Sequence, residues 1–192
     1  FGYATSNVLF KQGYIEDLEA LGVPSESMDV VTSNCVINLS PAKERVFKEI
    51  FRVLKPGGEL HFSDVFASRR VPAALSNDKV MIGECLGGAL YTEDFRRLMF
   101  SLGCRDYRMT MRSKVTINNA EIQAKVGALE FYSMTIRAFK LDLEDRCEDY
   151  GQFAIYKGTI KDAPSVFHLD DHHAFEKNKP EAVCGNTAMM LQ

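Results

Sequence analysis

The chain has 192 residues, of which 46% are hydrophobic and 26% are charged, and its formal net charge is −3. This length is typical of one large domain or of one domain with a small extension. A slightly acidic chain offers no basic surface for nucleic acid or for an anionic membrane. No apolar run approaches the roughly 18 residues that a membrane-spanning helix needs. We therefore predict a globular protein with neither nucleic-acid nor membrane partners.

The cysteines are widely spaced and include no C-x-x-C pair; they are Cys35, Cys85, Cys104, Cys147 and Cys184. An odd number of cysteines without such pairs argues against the disulfide framework of a secreted protein. The first five residues also show neither the basic region nor the apolar core of a secretory signal. We therefore expect a cytoplasmic protein with free thiols. We interpret Cys104, Cys147 and Cys184 as buried packing residues.

The first part of the chain predicts a strand, a helix and a second strand. The first strand is predicted over residues 7–13, and apolar residues recur at helical spacing over residues 14–21. Residues 28–32 (MDVVT) are interpreted as a second strand, with the apolar character of a buried parallel strand.

A longer amphipathic helix is predicted to begin at Ser40 as its cap, with Pro41 in the first helical position. Its apolar stripe comprises Val46, Phe47, Ile50, Phe51 and Leu54. The run 55–58 then ends the helix with a cation and two glycines. The remaining predicted elements are a strand over 59–66, a helix over 92–102, strands over 105–117 and 131–139 with a helix over 119–126 between them, and a strand over 152–160. This order predicts an α/β sheet with a mixed edge.

Two cysteines, Cys35 and Cys85, stand apart from the others by their position in this pattern. Cys35 lies where the predicted strand over 28–32 runs out into a loop, and open α/β sheets bind ligands at such carboxyl ends. Cys85 lies in the glycine-rich run 83–88, where missing side chains let another group approach closely. A packing role is the alternative for both cysteines. If both thiols face one crevice, a soft, thiophilic substrate is predicted.

Four short segments resemble a known family. Residues 54–64 (LKPGGELHFSD) resemble the fifth-strand entry of class I S-adenosylmethionine-dependent methyltransferases. The segments 13–18 (GYIEDL), 33–39 (SNCVINL) and 83–91 (GECLGGALY) resemble a narrower family, the arsenite methyltransferases. The resemblance extends from residue 1 to about residue 160, and its two cysteine motifs are specific.

This resemblance implies a class I (Rossmann-like) methyltransferase sheet from strand 3 onward, of family order 3-2-1-4-5-7-6, with a small β-rich C-terminal extension. Residues 1–142 would form the C-terminal two-thirds of the S-adenosylmethionine-dependent methyltransferase domain, and residues 143–192 a family-specific extension. Family members also carry a glycine-rich loop after strand 1, an acidic residue after strand 2 and a further arsenic-binding cysteine. None of these is in this sequence, and we expect them in an upstream part of the native protein.

The resemblance also implies a reaction and a set of site residues. Cys35 and Cys85 would bind trivalent arsenic, whose lone pair attacks the methyl carbon of S-adenosylmethionine to give mono- and dimethylated arsenicals in arsenic detoxification. A thiol reductant such as glutathione or thioredoxin would reset the site, and the protein would be a monomer. The residues implied at the methyl donor are Ile15 and Glu16 at the adenine, and Asn34, Cys35, Val36 and Leu39 along the sulfonium and amino-acid part.

Two other functions remain open at this point. The chain could be a class I methyltransferase of a small organic or thiol substrate, or a non-catalytic metalloid-binding thiol module. Separately, the run Asp170-Asp171-His172-His173, close to His168, carries side chains that bind metals. It has no helical or strand context, so we interpret it as a surface loop.

Overall fold

A computed structural model describes residues 7–192; the first residues, where no secretory signal pattern was found, lie outside this range. In chain order the elements are β1 (Met28–Asn34), a short 3-10 helix (Ile37–Leu39), α1 (Lys43–Val53), β2 (Leu54–Ala67), α2 (Ala73–Ser76), α3 (Lys79–Gly83), β3 (Leu90–Tyr91), α4 (Thr92–Ser101), β4 (Tyr107–Lys114), α5 (Ala120–Val126), β5 (Phe131–Phe139), β6 (Gln152–Ile155), β7 (Val166–His168), β8 (Ala174–Glu176), β9 (Pro180–Val183) and α6 (Gly185–Met190).

The main sheet has the strand order β1-β2-β5-β4, and the short β3 pairs with the end of β2. β1 runs parallel to β2, whereas β5 runs antiparallel to both β2 and β4. This arrangement corresponds to strands 4-5-7-6 of the class I methyltransferase sheet. The predicted α/β fold with a mixed edge is therefore confirmed, and β5 has the predicted bounds.

The core lies between α1, α4 and one face of β2. All five residues of the predicted apolar stripe of α1 are buried, as are Leu60, Phe62 and Phe66 of β2. The Phe95 ring of α4 joins them, with its centroid 5.5 Å from that of Phe47 and 5.7 Å from that of Phe62. Each such side chain contributes roughly 1.5–3 kcal/mol on burial. This cluster therefore fixes the carboxyl half of β2, next to which Cys35 lies.

The start of α1 differs from the prediction. The helix begins at Lys43 with Ala42 as its cap, and Ser40 lies in extended backbone before it. The Ser40 hydroxyl still accepts a hydrogen bond from the Ala42 amide at 3.1 Å. Ser40 therefore stabilises the turn before the helix and does not cap the first helical turn itself.

Two predicted elements near the start of the chain are wrong. Residues 7–13 form no strand, and residues 14–21 consist of turns instead of a helix. Leu9 is 80% exposed and Phe10 is 91% exposed, so this segment contributes little apolar burial. No strand among the described residues offers it a hydrogen-bonding partner, and isolated strands and short helices are not stable in water. The sheet described here begins with the family's strand 4.

β1 is confirmed as a parallel strand, but its predicted burial is wrong. It pairs with β2 on one side only within residues 7–192. Val30 is consequently 54% exposed and Met28 is 38% exposed. The apolar run correctly indicated a strand, but burial depends on neighbours that the run itself does not specify.

The last quarter of the chain forms the small β-rich extension that was predicted. β6 pairs with β9 and β7 with β8, and the predicted strand over 152–160 ends at residue 155. The Arg137 guanidinium joins this part to the sheet, because it binds both carboxylate oxygens of Glu59 at 2.7 and 2.9 Å and the Leu169 carbonyl at 3.0 Å. The division between residues 142 and 143 stays a prediction. No helix within residues 7–192 combines the length and apolarity needed to cross a membrane.

Candidate functional site

Cys35 lies directly after β1, at the carboxyl end of a parallel strand. Its amide donates to the Ser63 carbonyl of β2 at 2.9 Å, which continues the β1–β2 ladder by one residue. Its φ angle is +54°, and its side chain is exposed. The position at the strand end matches the sequence prediction. The left-handed backbone conformation was not predicted.

Cys85 shares this unusual backbone conformation. It follows α3, its φ angle is +61°, and its amide donates to the Ile82 carbonyl at 3.0 Å. Only a few per cent of non-glycine residues have positive φ, and such strain costs on the order of 1–3 kcal/mol. Strain of this kind is concentrated at functional sites. Both predicted arsenic ligands therefore lie at strained turns.

Direct packing brings the two cysteine loops together. A Cβ atom added to Gly88 would overlap the carbonyl oxygen of Asn38, so the loop after Cys85 rests on the loop after Cys35. Asn38 is itself fixed to β2, because its side-chain amide donates to the Val65 carbonyl at 2.6 Å. Close approach at the glycine-rich run was predicted, but at Gly88 the approaching group is protein backbone. A Cβ atom at Gly83 would meet nothing within 4 Å.

The electrostatic environment of Cys35 keeps its thiol protonated. The side chain is exposed overall, but partial desolvation raises the pKa of the thiol, and the nearby Asp64 and Cys85 raise that pKa further. Cys35 and Cys85 are both free thiols. At neutral pH the Cys35 thiol is therefore protonated until a ligand displaces the proton, as for other thiolate-bound centres.

Asp64 is a site residue that sequence reasoning did not identify. It is 2% exposed, and its carboxylate accepts hydrogen bonds from the backbone amides of Asn38 at 3.1 Å and Val65 at 2.9 Å. Burial raises the pKa of this carboxyl group despite these bonds and the Lys43 charge. The signal in the sequence was a carboxylate inside the buried strand 59–66. Asp64 fixes the 3-10 helix that follows Cys35.

The residues predicted at the methyl donor lie around the loop after β1. Ile15 packs against the main core, and the Glu16 carboxylate accepts a hydrogen bond from the Ser40 hydroxyl at 3.4 Å. Three others have exposed side chains on or beside this loop; they are Asn34, Val36 and Leu39. A cavity of about 340 Å³ lies beside the end of β1 and includes Asn34 in its lining. Glu16 thus lies beside the segment that follows β1, whereas the roles of all these residues stay predictions.

The acidic and histidine-containing run near residue 170 is only partly a surface loop. Asp171 and His172 are exposed, but Asp170 is 6% exposed. The Asp170 carboxylate accepts from the backbone amides of His172 and His173 at 2.8 and 2.7 Å and from the Arg108 guanidinium at 3.4 Å. These donors occupy the carboxylate, so Asp170 joins this loop to β4.

The other three cysteines differ from one another. Cys104 is buried as predicted, and burial raises the pKa of its thiol to about 12. The predicted burial is wrong for Cys147, which is exposed, and for Cys184, which is partly exposed. Both cysteines belong to the C-terminal extension and have polar neighbours there. The apolar pattern on which the prediction relied does not extend into this part of the chain.

A family profile described as a methyltransferase domain matches residues 2–103, which include β1, β2 and both cysteine loops. The chain belongs to this methyltransferase domain family. The match ends shortly before β4, so β4, β5 and the extension lie outside it.

Similar proteins cover the whole chain. It is 52% identical to an arsenite methyltransferase from Aquipseudomonas alcaligenes, over 100% of this chain and 55% of that protein. It is 40% identical to the human arsenite methyltransferase, over 100% of this chain and 51% of that protein. The chain thus spans about half the length of these curated relatives.

A solved structure shares this fold in detail. It is CrArsM, an arsenic(III) S-adenosylmethionine methyltransferase from Chlamydomonas reinhardtii, and it aligns with a TM-score of 0.94 at 51% identity. The alignment covers 99% of this chain and 64% of that chain. The alignment leaves only 1% of this methyltransferase chain uncovered. The chain therefore shares its C-terminal extension with CrArsM.

Proposed function

We propose that this chain carries the arsenic-binding thiols of an arsenite methyltransferase. One observation carries the proposal: Cys35 and Cys85 are free thiols at two turns with positive φ, on loops that pack against each other where Gly88 meets the Asn38 carbonyl. Strain of this kind is concentrated at functional sites, and two thiols on neighbouring loops can supply the soft donor atoms that trivalent arsenic requires.

The substrate would be bound by exchange of ligands. Each thiol forms one arsenic–sulfur bond, one arsenic–oxygen bond of arsenite breaks, and the thiol proton leaves with the hydroxide as water. The raised pKa of Cys35 keeps its proton in place until this exchange. No general base is needed afterwards, because the arsenic lone pair carries no proton. The role of the thiols is to align arsenic with the methyl carbon at roughly 3–3.5 Å.

The methyl donor would be S-adenosylmethionine, whose sulfonium supplies an electrophilic methyl group when it is bound. The surface around the end of β1 fits such a ligand in its chemistry. Val36 is 44% exposed and Leu39 is 51% exposed, which offers apolar contact, and the Glu16 carboxylate lies nearby as a hydrogen-bond acceptor. Ile15 would contact the adenine, and Asn34 and Cys35 the sulfonium and amino-acid part.

Each transfer would convert arsenic from the trivalent to the pentavalent state. A thiol reductant such as glutathione or thioredoxin would then supply two electrons and restore trivalent arsenic. The products would be mono- and dimethylated arsenicals, formed by a monomeric cytoplasmic enzyme of arsenic detoxification. The chain's own contribution to this cycle is the pair of thiols that keeps arsenic bound.

The test is transfer of a labelled methyl group from S-adenosylmethionine to arsenite by the full-length protein, with glutathione present. Cys35→Ser and Cys85→Ser should each abolish labelled methylarsenic, because the thiols that remain no longer fix the position of arsenic. Cys104→Ala is the matched control, since this thiol is buried within the core. It should retain activity per folded molecule.

Other outcomes would favour the alternative functions. Arsenic binding without any labelled methylarsenic would indicate a thiol module that sequesters the metalloid. Full activity of Cys35→Ser, or methyl transfer only to an organic or thiol acceptor, would contradict the arsenite assignment.

A further inference from the structure

A second pair of thiols lies in the C-terminal extension. Cys147 lies in the segment between β5 and β6, and Cys184 lies between β9 and α6. The Gly185 amide donates to the Glu148 carbonyl at 2.9 Å, so the residues next to the two cysteines are joined by a backbone hydrogen bond. Both thiols are free, and each of them influences the pKa of the other.

The surroundings of Cys184 donate hydrogen bonds to its sulfur. The Thr187 amide donates to Sγ at 3.5 Å, and the Thr187 hydroxyl lies 3.2 Å from Sγ. The Arg108 guanidinium donates to that hydroxyl oxygen at 3.1 Å. Because a guanidinium can only donate, the hydroxyl accepts from Arg108 and its own proton is directed to the Cys184 sulfur.

The two thiols differ in acidity as a result. Burial alone would raise the pKa of Cys184, but Thr187, Cys147 and Arg108 together lower this pKa below its ordinary value. Partial desolvation raises the pKa of Cys147, although its side chain is exposed overall, and the neighbouring Cys184 raises that pKa further. Cys184 therefore ionises first, while Cys147 keeps its proton. The side chain of Arg108 is 9% exposed, and its Nε has no hydrogen-bond partner among residues 7–192.

We propose that Cys147 and Cys184 form a second two-thiol site, which binds trivalent arsenicals that carry one organic group. Such a compound has two exchangeable oxygen ligands, which matches two thiols. Two arsenic–sulfur bonds form, two arsenic–oxygen bonds break, and the two thiol protons leave as water with the displaced hydroxides. Neither an oxidant nor a reductant is consumed.

The site at Cys147 and Cys184 and the site at Cys35 and Cys85 lie at opposite ends of the strand order of the main sheet. Arg108 belongs to β4, whereas Cys35 follows β1 at the opposite end of the order β1-β2-β5-β4. A monosubstituted arsenical is the product of a single methyl transfer, so the second site would hold that product away from Cys35 and Cys85. This last role rests on the proposed function, but binding at the second site does not.

The probe is phenylarsine oxide, which needs two neighbouring thiols to bind stably. Intact-mass measurement should show two equivalents on the full chain. One equivalent should remain on Cys35→Ser/Cys85→Ser, and peptide mapping should show it bridging Cys147 and Cys184. One equivalent should also remain on Cys147→Ser/Cys184→Ser, bridging Cys35 and Cys85. Cys104→Ala should still bind two.

Single variants keep the test decisive if a double variant misfolds. In the full chain, Cys147→Ser and Cys184→Ser should each bind one equivalent that survives dilution instead of two. Absence of any equivalent on Cys35→Ser/Cys85→Ser, or two equivalents on Cys184→Ser, would overturn the second site. Failure of arsenite methylation with intact bridging of Cys147 and Cys184 would refute the proposed function and leave the second site standing.

Discussion

Positive φ at Cys35 and Cys85 is the most unusual backbone feature of the candidate site. A non-glycine residue in this conformation costs about 1–2 kcal/mol relative to the right-handed region. Glycine adopts it without steric penalty, although it loses more entropy on folding. The chain thus keeps a thiol at two positions where glycine fits the backbone better.

The strain at Cys85 can be measured as a difference between two variants. Both Cys85→Gly and Cys85→Ala remove the thiol, but only glycine relieves the strain at φ +61°. We expect Cys85→Gly to be more stable than Cys85→Ala by about 1 kcal/mol. Urea unfolding of both variants would measure this difference. Equal stability, or a more stable alanine variant, would contradict a strained turn.

Asp64 is expected to control the acidity of Cys35 from the neighbouring strand. Its charge is one of the causes that raise the pKa of the Cys35 thiol, after burial. Asp64→Asn removes that charge, so the pKa of Cys35 should fall, and alkylation by iodoacetamide should begin at lower pH. Asp94→Asn is a matched control on α4, where the carboxylate pairs with Arg70 instead.

Peptide mapping of Cys35 alkylation across a pH series would follow both variants. An unchanged Cys35 profile in Asp64→Asn, or an equal shift in Asp94→Asn, would show that Asp64 does not act on this thiol.

At the level of single residues, sequence reasoning located both cysteines but not their supports. Cys35 and Cys85 were identified because strand ends and glycine-rich turns leave a local pattern. Asp64 and Asn38 act through backbone groups of distant segments, and no local pattern records such contacts. The pairing of Cys147 with Cys184 was missed for the same reason.

Among the elements, the contact between the two cysteine loops determines how close Cys35 and Cys85 lie to each other. Gly88 allows the loop after α3 to rest on the backbone of Asn38, and Asn38 is fixed to β2. The distance between the two thiols therefore depends on a position that carries no side chain.

Gly88→Ala should disturb the site by separating these loops. The added methyl group overlaps the Asn38 carbonyl oxygen, so we expect destabilisation of about 1–3 kcal/mol and weaker arsenic binding at Cys35 and Cys85. Gly83→Ala adds the same group where nothing lies within 4 Å and should change neither property. Calorimetric titration with phenylarsine oxide and urea unfolding would compare them. Equal behaviour of the two variants would contradict the proposed contact.

The elements themselves were predictable where local and tertiary preferences agree. β5 and the apolar stripe of α1 were predicted correctly, because their periodic patterns match the faces that they bury. The predicted strand over 7–13 and helix over 14–21 failed because no strand of the described sheet pairs with the first segment and only part of the second, including Ile15, packs against the core. β1 was recognised as a strand, but its exposure is set by the number of its neighbours.

In the whole molecule, two arginines join the extension to the sheet. Arg137 binds Glu59 and the Leu169 carbonyl, and Arg108 binds Asp106 and Asp170. The extension is therefore expected to unfold together with the sheet instead of as a separate unit.

Asp170 should make this connection sensitive to acid. Burial alone would raise the pKa of its carboxyl group, but the amides of His172 and His173 and the His173 ring outweigh burial and lower this pKa below 3.8. Arg108 of β4 faces the same carboxylate. A lowered folded pKa contributes stability that is present above the unfolded value and is lost as pH falls through the folded value.

Asp170→Asn should therefore cost about 3 kcal/mol of unfolding free energy at neutral pH. The deficit should shrink as pH falls below 3.8, the ordinary aspartate value, because the wild type then loses the same contribution. Asp142→Asn is the control, since this carboxylate is 96% exposed and lies 3.8 Å from Arg105. Urea unfolding across a pH series would show a constant deficit if the account of Asp170 is wrong.

Cys35 and Cys85 should bind trivalent arsenic together, and X-ray absorption at the arsenic edge can detect both sulfur ligands. The measurement would use the full chain with Cys147→Ser and Cys184→Ser, so that the second thiol pair does not contribute. We expect Cys35 and Cys85 each to supply one sulfur neighbour of bound arsenite, so that adding Cys35→Ser or Cys85→Ser lowers the number of sulfur neighbours by one. An arsenic environment of oxygen alone, or one that neither substitution changes, would contradict it.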